Sequence, residues 1–156
     1  MCHYCGCRDM RLLRDYIAEH ERATNLGGDA VRAMDRGEYE QAKELLAATG
    51  TELRSHWQGE ENGIFAVMGR EELYAEHIGP LVQEHRELEQ LLQTMDLASG
   101  DDRDRVRKAV FDLHEHIAKE EDGLFPASLT ALSGAEWDEA MAAWQDAHPG
   151  QHMIGG

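Results

Sequence analysis

His56-Trp57-Gln58-Gly59-Glu60-Glu61-Asn62-Gly63-Ile64-Phe65 returns later in the chain as His116-Ile117-Ala118-Lys119-Glu120-Glu121-Asp122-Gly123-Leu124-Phe125. Both read His-x-x-x-Glu-Glu-(Asn/Asp)-Gly-(Ile/Leu)-Phe. Four residues turn a helix through about 400°, so the His and the first Glu of each copy sit one above the other on one face. An imidazole nitrogen and a carboxylate that project together can bind one metal ion, and the second carboxylate oxygen can reach another. Two such helices facing each other inside a bundle make a two-metal site.

The repeat extends beyond these ten residues. A lone His precedes each copy, in Glu19-His20-Glu21-Arg22 and in Glu84-His85-Arg86-Glu87. The order is His, His-x3-Glu, His, His-x3-Glu, which reads as a duplicated helix hairpin whose halves pair about a pseudo-two-fold axis.

Composition agrees with a helical protein. The 156 residues include three Pro and are rich in Ala, Leu, Glu, Arg and Gln, enough chain for one domain with a sizeable core. A formal net charge of −16 argues against a nucleic-acid partner or an anionic membrane surface, since both need basic patches. No apolar run approaches the length of a membrane span and no signal peptide is visible, so the expectation is a soluble, cytoplasmic protein.

Apolar spacing places a first helix from about Asp9, its expected cap, to Met34, and a turn at Asp35-Arg36-Gly37. A second helix is expected over about Glu38 to Val67. A third is expected to start near Glu71, with Pro80 dividing off a short turn so that the main helix begins at Gly79 or Pro80 and ends by Ala98. Asp101 or Asp102 is expected to cap a fourth, ending by Leu124 ahead of Pro126. Ser133 is expected to cap a short fifth helix to Ala147 on the outside of the bundle, followed by a loose tail from His148. The fold class is therefore all-α: an up-down-up-down four-helix bundle with a short extra C-terminal helix. The division is a Cys-rich head at 1–8, the bundle at 9–126, and a C-terminal helix and tail at 127–156.

Each long helix carries an inward His: His20, His56, His85 and His116. The second and fourth add Glu60 and Glu120. A lone His on an apolar face is ordinarily a satisfied core residue, and one His-x3-Glu is common on solvated faces. The joint pattern is different, because ionised Glu inside a bundle is costly unless paired or bound to metal. Imidazole with carboxylate suits iron, manganese or zinc. Glu61 and Glu121, about 100° round the helix from Glu60 and Glu120, read as extra ligands, as groups that orient a His from behind, or as solvated charge. Tyr16, one turn from His20, is a further candidate to support a ligand. His114 and His77 are expected outside the metal layer, and Trp57, Phe65 and Phe125 to serve packing.

These residues resemble the haemerythrin-like (HHE cation-binding) family, over about Asp9 to Pro126. The resemblance implies a four-helix bundle around a non-haem di-iron centre, two Fe ions bridged by oxo or hydroxo. It implies that His20 and His56 hold one iron, that His85 and His116 hold the other, and that Glu60 and Glu120 bridge. The chain departs from the oxygen-carrier version of the family at two places. Leu81 stands where that version has a His four residues before His85, and His116-x3-Glu120 replaces its His-x4-Asp. One imidazole fewer leaves more open coordination, which suits reaction more than storage.

The function expected from this is binding or reaction with small oxidants (O2, H2O2 or NO). Catalase- or peroxidase-like decomposition of peroxide in a response to oxidative stress is one form of it, so whether the protein is an enzyme stays open. The alternative is an iron, oxygen or redox sensor that signals through the head, where Cys2, Cys5 and Cys7 form a candidate redox or second metal site.

Overall fold

The computed structural model describes residues 9–154. Cys2, Cys5 and Cys7 lie outside the described residues. Helix α1 spans Leu13–Asp35, α2 Tyr39–Asn62, α3 Ile64–Met68, α4 Glu72–Thr94 and α5 Gly100–Lys119. A π-helical turn, Glu120–Leu124, joins α5 to α6 at Phe125–Ala131, and α7 covers Gly134–Ala147. The protein is an all-α bundle with no strand among the described residues, and no helix among them is long and apolar enough to cross a membrane.

Three apolar clusters and one polar layer stack along the bundle axis. At one end Leu12, Leu13 and Tyr16 meet Ile64, Phe65, Ile78, Leu81, Leu124 and Phe125. A small central cluster joins Ala23, Leu53, Trp57 and Leu113, and the far end joins Ala30, Met34, Ala42, Leu46, Leu97 and Val106. Along α1 and α4 the sequence number rises from the first cluster to the last; along α2 and α5 it falls from the last to the first. This alternation is the up-down-up-down topology. His20, His56, His85 and His116 lie between the first and central clusters, at the same level on all four helices.

Several local expectations are corrected. Asp9 does not cap α1, which starts at Leu13 after Leu12 at φ 78°. Leu12 and Leu13 are fully buried, so apolar burial sets the start in place of a polar cap. Pro80 does not divide α4. Pro80 and Glu76 both lie on an exposed stretch, where water can meet the carbonyl that proline leaves without a donor. Ser99, not Asp101 or Asp102, caps α5, accepting from the Asp102 N–H at 3.3 Å. Ser133 caps α7 with a full capping box, as expected.

The two copies of the repeat leave the helix by different routes. In the first, α2 breaks at Gly63 (φ −106°, ψ −107°), so the expected helix to Val67 is two. A Cβ there would lie 2.5 Å from the Gly59 carbonyl oxygen, which only glycine avoids. In the second, the Phe125 N–H bonds the Glu120 carbonyl across a π turn and the chain runs on through Pro126 into α6, so Pro126 does not end the helix. A Cβ on Gly123 would meet nothing within 4 Å.

The segment after His148 is not loose. Its Ile154 N–H donates to Asp15 at 2.9 Å, Arg14 donates to the Ile154 carbonyl, and Gln145 reaches the Gln151 carbonyl at 2.9 Å. Helix α7 lies along α2 over Gly59, where a Cβ would stand 3.6 Å from Trp144 Cα.

The two repeat glycines should therefore respond oppositely. Gly63→Ala is expected to cost about 1–3 kcal/mol through overpacking, whereas Gly123→Ala should be neutral or stabilise by up to about 1 kcal/mol. Denaturant unfolding of the two variants beside the parent measures both; equal effects would contradict the backbone geometry.

Candidate metal centre

The six inward residues converge in one buried layer. His20, His56, Glu60, His85, His116 and Glu120 are all buried, with both carboxylates fully so. The 3.6-residue period does this work: on α2, and from α5 into the π turn that follows it, the His and Glu stand one turn apart, and on α1 and α4 each His continues the apolar stripe.

The ring orientations are set from behind. His20 Nδ1 donates to Glu121 at 2.7 Å, His56 Nδ1 to Glu19 at 3.1 Å, His85 Nδ1 to Glu61 at 2.8 Å and His116 Nδ1 to Glu84 at 2.6 Å. The Nδ1 protons are thereby engaged, and each Nε2 presents its lone pair to the centre. The pattern obeys the pseudo-two-fold relation. Glu19 and Glu84 each immediately precede a lone His and serve the His-x3-Glu helix of their own half. Glu61 and Glu121 each follow the inward Glu and serve the lone His of the other half.

Inside this ring the donor atoms crowd without satisfying one another. His20 Nε2 is 3.0 Å from Glu120 Oε1, and His56 Nε2 is 3.1 Å from Glu60 Oε1. Both nitrogens and all four oxygens of Glu60 and Glu120 nonetheless lack a hydrogen-bond partner. His85 Nε2 and His116 Nε2 face each other at 3.0 Å, with room between them for one shared proton or cation. Such an arrangement is unfavourable unless a cation joins it. Two donors at right angles, each about 2.1 Å from one ion, lie about 3.0 Å apart, which is the spacing seen in all three pairs.

Two groups of candidate ligands result. His20, His56, Glu60 and Glu120 place donor atoms within 4.8 Å of one another, and so do His85, His116 and Glu120. Glu120 directs one oxygen at His20 and the other at His116, at 3.5 Å, while Glu60 Oε1 faces His56 and, at 3.7 Å, His85. Each carboxylate thus stands between the two imidazole pairs. A mixed imidazole and carboxylate set suits a first-row transition metal.

Electrostatics follow from this crowding. Burial lowers the His56 pKa, but the Glu60 charge and the bond to Glu19 outweigh it and raise it to about 9. His20 and His116 are raised for the same reason, against burial, by Glu120 and their outer carboxylates. Burial, then the charges of Glu60 and Glu19, push the Tyr16 phenol up, so it stays protonated. Burial alone would raise Glu19, yet its bonds from His148, His56 and Trp144 hold it far below the usual carboxylate range.

Of the other sequence candidates, Tyr16 makes an edge contact with His56, at 5.6 Å between ring centres. It donates to the Gly59 carbonyl at 3.2 Å, an oxygen that the break at Gly63 frees from its helical bond. Trp57 stacks on His85 at 4.8 Å, and Phe125 lies parallel to His20 at 6.0 Å, so the aromatics do pack, and what they pack on are the imidazoles. His77 and His114 are exposed and belong to neither candidate ligand group, although His114 shares the small cavity that touches His20. Sequence reading missed Glu19, Glu84, Trp144 and His148. A signal for the first two existed: a Glu stands directly before each lone His of the repeat. Nothing in the sequence pointed to the other two, because they reach the site from outside the repeat.

The family model described as the hemerythrin HHE cation binding domain matches residues 11–128. No curated protein and no solved structure gives a significant match.

Two outcomes follow from this geometry. Glu61→Gln and Glu121→Gln should each weaken metal binding about 10–100-fold with helix content unchanged, measured by competition with a chelator of known affinity. In the metal-free protein the raised His56 contributes stability that is complete below about pH 6.5 and lost as pH rises through about 9. Its unfolding midpoint should fall across that window while metal affinity rises, because the ligands must shed protons to bind. A midpoint that climbs over the same range would refute the assignment.

Proposed function

The chain belongs to the haemerythrin (HHE cation-binding) family, and on that footing we propose a non-haem di-iron protein that binds or reacts with small oxidants: O2, H2O2 or NO. In this reading His20 and His56 hold one iron, His85 and His116 the other, and Glu60 and Glu120 span both. The observation that carries it is the convergence of six buried imidazole and carboxylate side chains on one layer, where His20 Nε2, His56 Nε2 and all four oxygens of Glu60 and Glu120 have no hydrogen-bond partner. Iron bound there supplies one-electron redox chemistry and coordination positions open to a small ligand.

The chain's own residues then define what can reach the centre. A cavity of about 430 Å³ opens between α4 and α5 and ends on His85 and His116, with Trp57, Leu88, Leu91 and Leu113 among its apolar lining. Its mouth carries Glu84, Glu87, Asp112 and Glu115 beside Arg105, Lys108 and Lys119. A net charge of −16 repels anions but is indifferent to neutral O2, NO and H2O2. The buried Leu81, where the oxygen-carrier version of the family has a His, offers no donor atom and favours open coordination over a saturated carrier site. Peroxide decomposition is one form of that reaction with small oxidants. The four Nδ1 carboxylates hold the imidazoles against rotation, and the fixed Tyr16 phenol closes the layer above His56.

The test combines metal analysis with an ultraviolet–visible spectrum before and after hydrogen peroxide. About two irons per chain and many peroxide turnovers per site are expected. The double variant His56→Ala with Glu60→Ala should hold no iron, and retention of two irons per chain would sink the ligand assignment.

A further inference from the structure

The C-terminal segment reaches the metal layer from outside the four-helix bundle, and the internal repeat does not call for it. Under the pseudo-two-fold relation His56 corresponds to His116, and its partner Glu19 to Glu84. The two partners are held very differently. Glu84 lies at the rim of the cavity between α4 and α5 with its side chain 37% exposed, and its second bond goes to Lys119, itself 55% exposed. Glu19 is 1% exposed. Beyond His56 it accepts from Trp144 Nε1 at 2.8 Å and from His148 Nε2 at 3.1 Å.

His148 is itself fixed. Its Nδ1 donates to the Trp144 carbonyl at 2.7 Å, and its ring stacks on the Trp144 indole at 4.1 Å. Helix α7 adds its backbone over Gly59, one residue before Glu60. The cavity between α4 and α5 is lined by His85 and His116. A smaller one of about 210 Å³ between α1 and α5 touches His20 from its Glu121 side. Neither is lined by His56 or Glu60.

We infer that α7 and the segment after it form a latch on His56, which makes the two metal positions inequivalent: the ion of His20 and His56 exchanges slowly, and the ion of His85 and His116 exchanges readily. The inference rests on the two-metal reading above. An ion leaves only when both of its imidazoles let go, so the ion of His20 and His56 stays while His56 holds, even if His20 opens toward the smaller cavity. His56 can swing only by breaking its bond to Glu19, and Glu19 cannot follow, because two further donors pin it where no water replaces a lost bond. On the other side water can take over the bonds of Glu84 and Lys119 as they open, and the cavity admits water or a chelator to the ligands themselves.

The full chain loaded with two cobalt(II) ions reports this directly, because loss to excess chelator is followed by absorbance and by metal analysis. Release should come in two phases of one ion each, with rates at least about tenfold apart. Trp144→Phe, which keeps an aromatic ring and removes the N–H, and His148→Ala should each speed the slow phase about 10–100-fold and leave the fast phase unchanged. Glu84→Gln should act on the fast phase alone. A single phase in the parent, or a slow phase that Trp144→Phe does not move, overturns the latch while the two-metal site stands. A chain that takes up no cobalt overturns the site itself.

Discussion

Two carboxylates and four imidazoles buried in one layer of a helical bundle set the terms for the rest of this structure. Glu60 and Glu120 are fully buried, and their ion-pair partners are the imidazoles. Charge placed in so dry a layer is costly unless something of opposite sign shares it. The arrangement makes sense as a scaffold prepared for cations: outer carboxylates take the Nδ1 protons, and the Nε2 lone pairs are left to point inward. Apolar clusters lie above and below the layer, and the aromatic faces of Trp57, Phe65 and Phe125 pack against the His85 and His20 rings.

The internal duplication accounts for this economy of parts, and the departures from symmetry account for its direction. One residue pattern, used twice, supplies both the ligands and their supports, since Glu19 and Glu84 stand before the lone His residues and Glu61 and Glu121 follow the inward Glu residues. The halves then diverge where the repeat ends. Asn62-Gly63 breaks its helix, which frees the Gly59 carbonyl for Tyr16, whereas Asp122-Gly123 widens into a π turn that carries the chain past Pro126. Helix α7 covers the first half and leaves the second facing a cavity. The pseudo-symmetric set of candidate ligands is thus covered at His56 and Glu60 and open to a cavity at His85 and His116.

Much of this was legible from spacing alone. A His and a Glu four apart share a helix face whatever surrounds them, so His56 with Glu60 and His116 with Glu120 could be paired before any packing was known. Ser133 announced its helix through the capping box, and Gly37, at φ 76°, sits in the expected turn. The failures share a cause. Pro80 and Pro126 read as breaks because local rules weigh a missing N–H without knowing whether water or a π turn will absorb it. Asp9 read as a cap because two buried Leu residues at the true start leave no polar signature.

By itself the sequence determined the helical class, the four inward His positions, the two inward Glu positions and the duplication, because all of these follow from the helical period and from the cost of burying charge. Only the tertiary structure decided which carboxylate holds which imidazole, since His20 meets Glu121 and His85 meets Glu61 across the bundle and not along a helix. It alone also brought Trp144 and His148 onto Glu19, more than a hundred residues away in the chain. No periodicity encodes contacts of that range; they arise because α7 packs along α2, which is a tertiary contact.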